Sequence, residues 1–313
     1  MLSNKLLKKS SSALKTGLLS GLLSLSLLTG VTCAKEISIG VSFQEMNNAF
    51  FVLMKEEVEK AAKDIGAKAH FADARHDIAK QTSDIEDMIQ KKIDILIINP
   101  ADSVGAETAV LAAKKAGIVV IAVDAQANGP IDSFVGSKNY DAGLFAGHHL
   151  AKALGEKGNV AILDGIPVIP ILERVRGFED AMKEYPNMKI VTKLNGKQER
   201  DTAMNVVENM LQANPTLVGI FSVNDIGSLG ASAAISASGK DVKVVSVDGN
   251  PEVVAEIATG KSPIIATSAQ FPRDQINIAL GIALAKYWGA NIPKEVPVDV
   301  KIIDITNAAG FSW

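Results

Sequence analysis

The sequence contains several side chains suited to binding a molecule that carries many hydroxyl groups. Asp124 and Asp248 are carboxylates that accept hydrogen bonds from neighbouring hydroxyls, and Asn48 and Asn224 each offer a donor and an acceptor. Phe50–Phe51 offers flat faces against which apolar C–H surface packs. Their chemistry predicts a site that holds a ligand by hydrogen bonds and ring contacts.

Each of these side chains also has a purely structural alternative. An Asp at the end of a strand caps the following turn or helix, and an Asn does the same in an Asx turn. For Asn48 this alternative is strengthened by the adjacent Asn47. Both phenylalanines also suit a hydrophobic core, and we expect at least one ring to face the ligand. The matching positions of the two aspartates in the two halves of the chain favour ligand binding.

The elements that carry the two aspartates resemble each other. The segments Ile93–Asp124 and Leu217–Asp248 each contain a β-branched run, an Ala/Gly-rich helical stretch and a second β-branched run that ends in Val-Asp. This pattern predicts one βαβ unit in each segment. Side chains at the carboxyl ends of parallel strands lie in the crevice where open α/β sheets bind ligands. Two facing sheets would therefore enclose the ligand between them.

The rest of the chain alternates predicted strands with amphipathic helices, which indicates α/β lobes with doubly wound parallel sheets. First-lobe strands are predicted near Ile37–Val41, Ala67–Phe71, Ile93–Ile98, Val119–Val123 and Ser133–Val135. Second-lobe strands are predicted near Asn159–Leu163, Lys189–Leu194, Leu217–Ser222, Val242–Val247 and Ile264–Ser268. No low-complexity linker separates the halves, so we expect short crossings that permit hinge bending.

The first residues have the pattern of an export signal. The basic segment Met1–Lys9 precedes the apolar run Leu18–Leu28, which is too short to span a bilayer. We predict a signal peptide over residues 1–34, cleaved after Ala34 to release a soluble periplasmic protein. Lipid attachment at Cys33 is the alternative, and it is disfavoured because Thr32 is larger than the residue that usually precedes a lipidated cysteine.

Composition excludes several classes of protein. Cys33 is the single cysteine, so residues 35–313 have no disulfide and no thiolate chemistry. Removing the four lysines of residues 1–34 takes the formal net charge from −3 to −7, which argues against a nucleic-acid partner. Phosphate-loop, nucleophile-elbow and metal-ligand patterns are missing from the sequence, so we predict no catalytic group, metal or cofactor. Paired carboxylates leave a carbohydrate-active enzyme as an alternative.

Several motifs in register carry a family resemblance over residues 35–299. They are Asn47–Phe51, Ile98–Asp102, Val123–Asp124, Glu173–Phe178, Val223–Asp225, Val247–Gly249 and Ala269–Pro272. In this order they resemble the ribose-binding-protein family, the periplasmic sugar-binding components of bacterial ABC importers. The resemblance implies the type I periplasmic binding protein fold, with three hinge crossings near residues 138–139, 270–271 and 299–300. It implies an N-terminal lobe of residues 35–138 and 271–299 and a C-terminal lobe of residues 139–270 and 300–313.

The resemblance also implies further ligand contacts. Arg174 stands at the position of the family's sugar-binding arginine, and Gln270 falls at a crossing where it should reach both ligand and hinge. Asn139 lies at another crossing, where hinge hydrogen bonding is favoured over sugar contact. In a departure from the family pattern, the segment between the first strand and Asn48 is longer and brings Gln44 and Glu45 near the pocket mouth. The predicted ligand-binding set is Gln44, Asn48, Phe50, Phe51, Asp124, Asn139, Arg174, Asn224, Asp248 and Gln270.

Departures from the family pattern bear on which sugar is bound. Ala125 follows Asp124 where the family usually has Arg, and Gln198 aligns approximately with a second aromatic wall. These changes replace a fixed cation and a stacking ring with hydrogen-bonding groups or empty space. They favour another pentose, a hexose or a linear sugar alcohol over ribose itself.

The function implied by the resemblance is capture of a monosaccharide or sugar alcohol in the cleft between the lobes. The expected partners are this carbohydrate and an ABC permease in the inner membrane, with the protein a monomer. Sugar sensing for a chemoreceptor or signalling partner is an alternative, as is the carbohydrate-active enzyme. The sugar-sensing core of LacI-type repressors shares this fold, but those proteins begin with a basic helix-turn-helix and this chain begins with an export signal.

Overall fold

The computed structural model describes residues 35–313. The predicted signal peptide, its cleavage site and the alternative lipid attachment at Cys33 lie outside the described residues. Within the described part of the chain, no helix is both long enough and apolar enough to cross a membrane.

Strands and helices alternate in the order that the sequence predicts. The strands are β1 (Ser38–Phe43), β2 (Lys68–Asp73), β3 (Ile95–Ile98), β4 (Val119–Val123), β5 (Ser133–Ser137), β6 (Lys157–Asp164), β7 (Asn187–Asn195), β8 (Leu217–Ser222), β9 (Lys243–Asp248), β10 (Ile264–Ala269), β11 (Glu295–Val298) and β12 (Lys301–Asp304). The helices are α1 (Ala49–Asp64), α2 (Ile78–Gln90), α3 (Glu107–Lys115), α4 (Asn139–Ala153), α5 (Ile169–Lys183), α6 (Arg200–Ala213), α7 (Asp225–Ser238), α8 (Pro251–Thr259) and α9 (Pro272–Tyr287), followed by a 3-10 turn at Ala308–Gly310.

The strands form two six-stranded sheets, one in each lobe. The first has the order β11-β5-β4-β3-β1-β2 and the second the order β12-β10-β9-β8-β6-β7. Strand pairs are parallel except for the antiparallel pair of β10 and β12. The two orders match strand for strand, so the predicted βαβ copies, β3-α3-β4 and β8-α7-β9, occupy equivalent places. The prediction of two doubly wound α/β lobes is confirmed.

The chain passes between the sheets three times: between β5 and β6, between β10 and β11, and between β11 and β12. The predicted crossing points lie within these connections, while the exact lobe boundaries stay predictions. The strands β11 and β12 were not predicted from the sequence. Both are four-residue edge strands with few buried residues, and Pro297 interrupts the apolar pattern of β11.

The central strands could be predicted from the sequence because helices cover both faces of each sheet. All four residues of β3 are buried, since helices cover both sides of a parallel sheet and its strands become continuous apolar runs. Helix α1 buries one face through Phe50, Phe51, Met54 and Val58. The packed core holds the strand ends, and the side chains that follow them, in fixed positions.

Two glycines allow α4 and α5 to pack in close contact. A methyl group on Gly143 would overlap the carbonyl of Arg174, and one on Gly177 would overlap the carbonyl of Tyr140. Because Arg174 is on α5, this helix contact sets the position of its guanidinium.

We expect Gly143→Ala to displace α5 and to lower the free energy of unfolding by about 1–3 kcal/mol, with weaker ligand binding. Gly281→Ala is the matched control, since it lies in the interior of α9 and an added methyl group would meet no atom within 4 Å. The control should be stabilised by about 0.5–1 kcal/mol, because alanine favours a helix interior over glycine. Urea unfolding of both variants measures the difference, and equal stabilities would show that the α4–α5 contact tolerates a side chain.

Candidate ligand-binding site

Residues of both lobes line one cavity of about 410 Å³, counted with its open mouth. Its walls are Gln44, Asn48, Phe50, Phe51, Asp124, Ala125, Val168, Pro170, Ile171, Arg174, Gln198, Asn224, Asp248 and Gln270. Nine of the ten sequence-predicted residues are in this set; Asn139 is the exception.

Asp124 follows β4 and is buried, with one carboxylate oxygen bonded and the other unpaired. Its Oδ2 accepts a hydrogen bond from Asn99 Nδ2 at 3.1 Å, whereas Oδ1 has no partner among the described residues. Its φ of 62° is a left-handed conformation that Asp tolerates. Burial raises the pKa of Asp124 to about 7; the nearby Arg174 opposes this rise and Asp248 adds to it.

Arg174 and Asp248 form a buried ion pair that belongs to the second lobe. Arg174 is only 4% exposed, and its Nη1 donates to Asp248 Oδ1 at 3.2 Å and to the carbonyl of Val223 at 2.8 Å. Burial raises the pKa of the Asp248 carboxyl, and the Arg174 guanidinium limits that rise. Gln270 Nε2 also donates to Asp248 Oδ1, at 2.8 Å. The pair holds the guanidinium and the carboxylate rigidly at the cavity wall.

Asp225 lies behind Asp248 and was not predicted as a site residue, although it is part of the Val223–Asp225 motif. Its side chain accepts hydrogen bonds from Ser246 Oγ, from Thr267 Oγ1 at 2.8 Å and from the backbone N–H of Asn250 at 2.6 Å. Burial and the nearby Asp248 charge raise the pKa of Asp225 to about 8. Asp225 does not line the cavity, but its backbone N–H donates to Asp248 Oδ2 at 3.2 Å.

The two asparagines have the structural role that the sequence left open, and both still line the cavity. Asn48 Oδ1 accepts from the N–H of Phe50 and caps α1; Asn224 Oδ1 accepts from the N–H of Gly227 and caps α7. The amide nitrogen of Asn224 donates to the carbonyl of Gln198 at 3.3 Å. Capping fixes both side chains where a ligand can meet them.

Both Phe50 and Phe51 line the cavity, and both also belong to the first-lobe core. Their rings pack edge to face, with centroids 5.3 Å apart. Ligand stacking and core packing are therefore not alternatives at these positions, because each ring is buried on one side and borders the cavity on the other.

Asn139 supports the site from outside the cavity. Its Oδ1 accepts from Arg174 Nε at 2.8 Å, and its Nδ2 donates to the carbonyl of Ser137 at 3.0 Å. This network connects the end of β5 to the guanidinium.

Three buried oxygens from residues of the cavity wall have no hydrogen-bond partner among the described residues. They are Gln44 Oε1, Asp124 Oδ1 and Gln270 Oε1. Buried polar atoms are nearly always paired, so these three acceptors are available to hydrogen-bond donors of a ligand in the cavity. Gln44 and Asp124 follow strands of the first sheet, and Gln270 follows a strand of the second.

Residues that sequence reasoning did not select complete the walls. Val168, Pro170 and Ile171, from the start of α5, add an apolar surface; the Pro-containing stretch ahead of Arg174 was the available signal. The departures Ala125 and Gln198 both lie at the cavity. Gln198 Oε1 accepts from the N–H of Ile166 at 3.3 Å, so the position predicted to lack an aromatic wall holds an amide instead.

The chain is similar to known solute-binding proteins in sequence and in fold. Residues 39–289 match the family model described as periplasmic binding protein domain. The ribose import binding protein of Bacillus subtilis is 37% identical over 270 residues, which cover 86% of this chain and 87% of that protein. Two similar structures are an ABC transporter solute-binding protein of Actinobacillus succinogenes with bound D-allose (32% identity, TM-score 0.82, 88% of this chain and 100% of that one) and one of Bacillus halodurans with bound myo-inositol (27% identity, TM-score 0.82, 88% and 96%).

These relatives are named as an import binding protein for ribose and as solute-binding proteins of ABC transporters, and the Actinobacillus succinogenes protein is described as periplasmic. The topology, the motifs in register and the matched length agree. The chain therefore belongs to the ribose-binding-protein family, the solute-binding components of ABC importers.

Proposed function

We propose that this protein binds a neutral monosaccharide or polyol in the interlobe cavity, in the periplasm, and delivers it to an ABC permease. The observation that carries the proposal is the set of three unpaired buried acceptors, Gln44 Oε1, Asp124 Oδ1 and Gln270 Oε1. Each suits a ligand hydroxyl as donor, and the rings of Phe50 and Phe51 suit its C–H surface. The Bacillus subtilis relative is named for ribose, and the two similar structures hold D-allose and myo-inositol. All three compounds are neutral and rich in hydroxyls.

Charge supports a neutral ligand over an anionic one. The wall carries two acidic side chains, Asp124 and Asp248, against the single guanidinium of Arg174. Two nitrogens of that guanidinium already donate to protein acceptors. Above pH 7, where Asp124 is ionised, a carboxylate or phosphate on the ligand would face one uncompensated negative charge in a buried space, so sugar acids and sugar phosphates should be rejected.

Binding would involve closure of the two lobes, because the contacts come from both. A ligand shifts an open–closed equilibrium only through contacts that differ between the two states, and a ligand held by acceptors of both lobes makes its full set only when they meet. We place the hinge near residues 138–139, 270–271 and 299–300, with Asn139 and Gln270 next to it. A monomer with micromolar affinity, about −8 kcal/mol, would suffice for uptake.

A thermal-shift screen of the ligand-stripped mature protein tests the function. Pentoses, hexoses, sugar alcohols and inositols are compared with gluconate and ribose 5-phosphate as anionic controls. A ligand that binds only the folded state raises the melting temperature, so at least one neutral compound should do so and the anions should not. Recovery of the compound unchanged separates binding from hydrolysis. No shift with any neutral compound, or a shift only with the anions, would refute the proposal.

Ligand affinity should depend on pH through Asp124. Hydroxyl donors favour the ionised carboxylate, so binding must displace the proton that Asp124 holds below its pKa of about 7. Affinity should be constant above pH 7 and fall by up to about tenfold per pH unit below it. Titration calorimetry across this range measures the slope, and Asp124→Asn should remove it. An affinity that rises on acidification would contradict this assignment.

A further inference from the structure

Trp313 contacts both halves of the binding site without lining the cavity itself. Its ring packs edge to face on Phe50, with centroids 5.7 Å apart and planes at 85°. Its indole Nε1 donates a hydrogen bond to the backbone carbonyl of Asp248 at 3.1 Å. Phe50 belongs to the first lobe and Asp248 to the second, so one side chain connects residues that border the ligand from opposite sides.

The segment that carries Trp313 passes from one hydrophobic core to the other. Phe311 packs against the core of the second lobe and meets the ring of Phe271, with centroids 6.2 Å apart. Two residues later, Trp313 packs against the core of the first lobe. The span between these two anchors is short, so the position of Trp313 depends on how the lobes are arranged.

On the first-lobe side, Trp313 extends an aromatic cluster that reaches the cavity wall. Phe43 packs on Phe51 with centroids 5.7 Å apart, Phe51 packs on Phe50, and Phe50 packs on Trp313. The position of the Phe50 ring is thus fixed from two sides, by Phe51 and by Trp313. A ring held in this way presents a defined face to the ligand.

On the second-lobe side, Trp313 holds the backbone of a residue in an unusual conformation. Asp248 has a φ of 142°, which side chains rarely adopt and which surrounding contacts must maintain. Its carbonyl accepts from the N–H of Gln270 at 2.9 Å as well as from Trp313. Rotation of this peptide would move the carboxylate that pairs with Arg174.

We propose that Trp313 is a positioning residue of the binding site: it orients Phe50 and Asp248 together and stabilises the closed, ligand-bound arrangement of the lobes. This inference rests on the proposed function. Because the contacts join the two lobes, they hold the closed state and should act mainly on how fast ligand leaves.

The test compares ligand dissociation rates of wild-type protein, Trp313→Ala and Trp313→Phe, by stopped flow with D-ribose, D-allose and myo-inositol as probes. Loss of the ring contact and the hydrogen bond in Trp313→Ala should raise the dissociation rate constant about tenfold or more, with a smaller change in the association rate. Trp313→Phe keeps a ring without the N–H donor and should give an intermediate rate. Trp288→Phe is the matched control, since Trp288 is 69% exposed and lies outside the site.

The control variant supplies a second readout. The chain has two tryptophans, so Trp288→Phe leaves Trp313 as the single indole, and its emission should change when ligand is added. If Trp313 were purely structural, Trp313→Ala would have a lower melting temperature and an unchanged dissociation rate, and the emission of Trp288→Phe would not respond to ligand. That result would overturn the inference alone. Wild-type protein that binds neither these probes nor any other neutral compound of the thermal-shift screen would overturn the inference together with the proposed function.

Discussion

Replacing Arg174 by methionine should reduce ligand affinity by more than about 100-fold and lower the free energy of unfolding by about 3–5 kcal/mol. Methionine fills much of the same space without the charge. The Arg174 guanidinium is buried against Asp248, Asn139 and the carbonyl of Val223. Its loss removes the positive charge that pairs with Asp248 and leaves two acceptors, Asn139 Oδ1 and the Val223 carbonyl, without this donor. Breaking a buried ion pair from one side costs far more than the pair itself contributes, because the remaining charge stays desolvated.

Arg176→Met is the matched control. Arg176 lies two residues further along α5, is exposed, and pairs with Glu173 at the surface. Surface substitutions of this kind change the free energy of unfolding by no more than about 0.5 kcal/mol, and affinity should stay at the wild-type value. Calorimetric titration and urea unfolding give both quantities. Wild-type affinity in folded Arg174→Met would remove Arg174 from the binding site.

Asp124→Asn should have opposite effects on stability and on binding. Burial raises the pKa of Asp124 from 3.8 to about 7, so between these values the folded protein holds a proton that the unfolded chain has lost. The free energy of unfolding therefore falls as pH rises through this window and stays low above pH 7. Asparagine has no charge to desolvate, so the variant should be more stable than wild type above pH 7, by up to about 4 kcal/mol.

The same substitution should weaken binding about 10- to 100-fold, because a carboxylate accepts hydroxyl hydrogen bonds more strongly than an amide oxygen. Urea unfolding at about pH 8 and about pH 4 measures the stability, and the gain should shrink at the lower pH. Asp241→Asn, at an exposed position of the second lobe, controls for the change of residue type. An Asp124→Asn protein less stable than wild type above pH 7 would mean that the ionised carboxylate is well solvated or paired.

The features best predicted from the sequence were the buried strands and the polar residues that directly follow them. Buried parallel strands are continuous apolar runs, so both βαβ units and the polar residues at their carboxyl ends could be predicted. The edge strands β11 and β12 could not, since short half-exposed strands carry no such run.

Contacts between distant residues were beyond sequence reasoning. Arg174 and Asp248 are 74 positions apart, and Trp313 and Asp248 are 65 apart. No local pattern reports that Asp225 is buried behind Asp248 or that Trp313 reaches Phe50. The asparagines illustrate a different limit: helix capping and ligand contact favour the same residue at the same place, and at Asn48 and Asn224 capping is present at the cavity wall.

The most direct measurement is a crystal structure of the mature protein with the neutral compound that gives the largest thermal shift. We expect one ligand between the lobes, with its hydroxyls within hydrogen-bonding distance of Gln44 Oε1, Asp124 Oδ1 and Gln270 Oε1. A ligand bound elsewhere, or bound here with these three oxygens still unpaired, would contradict it.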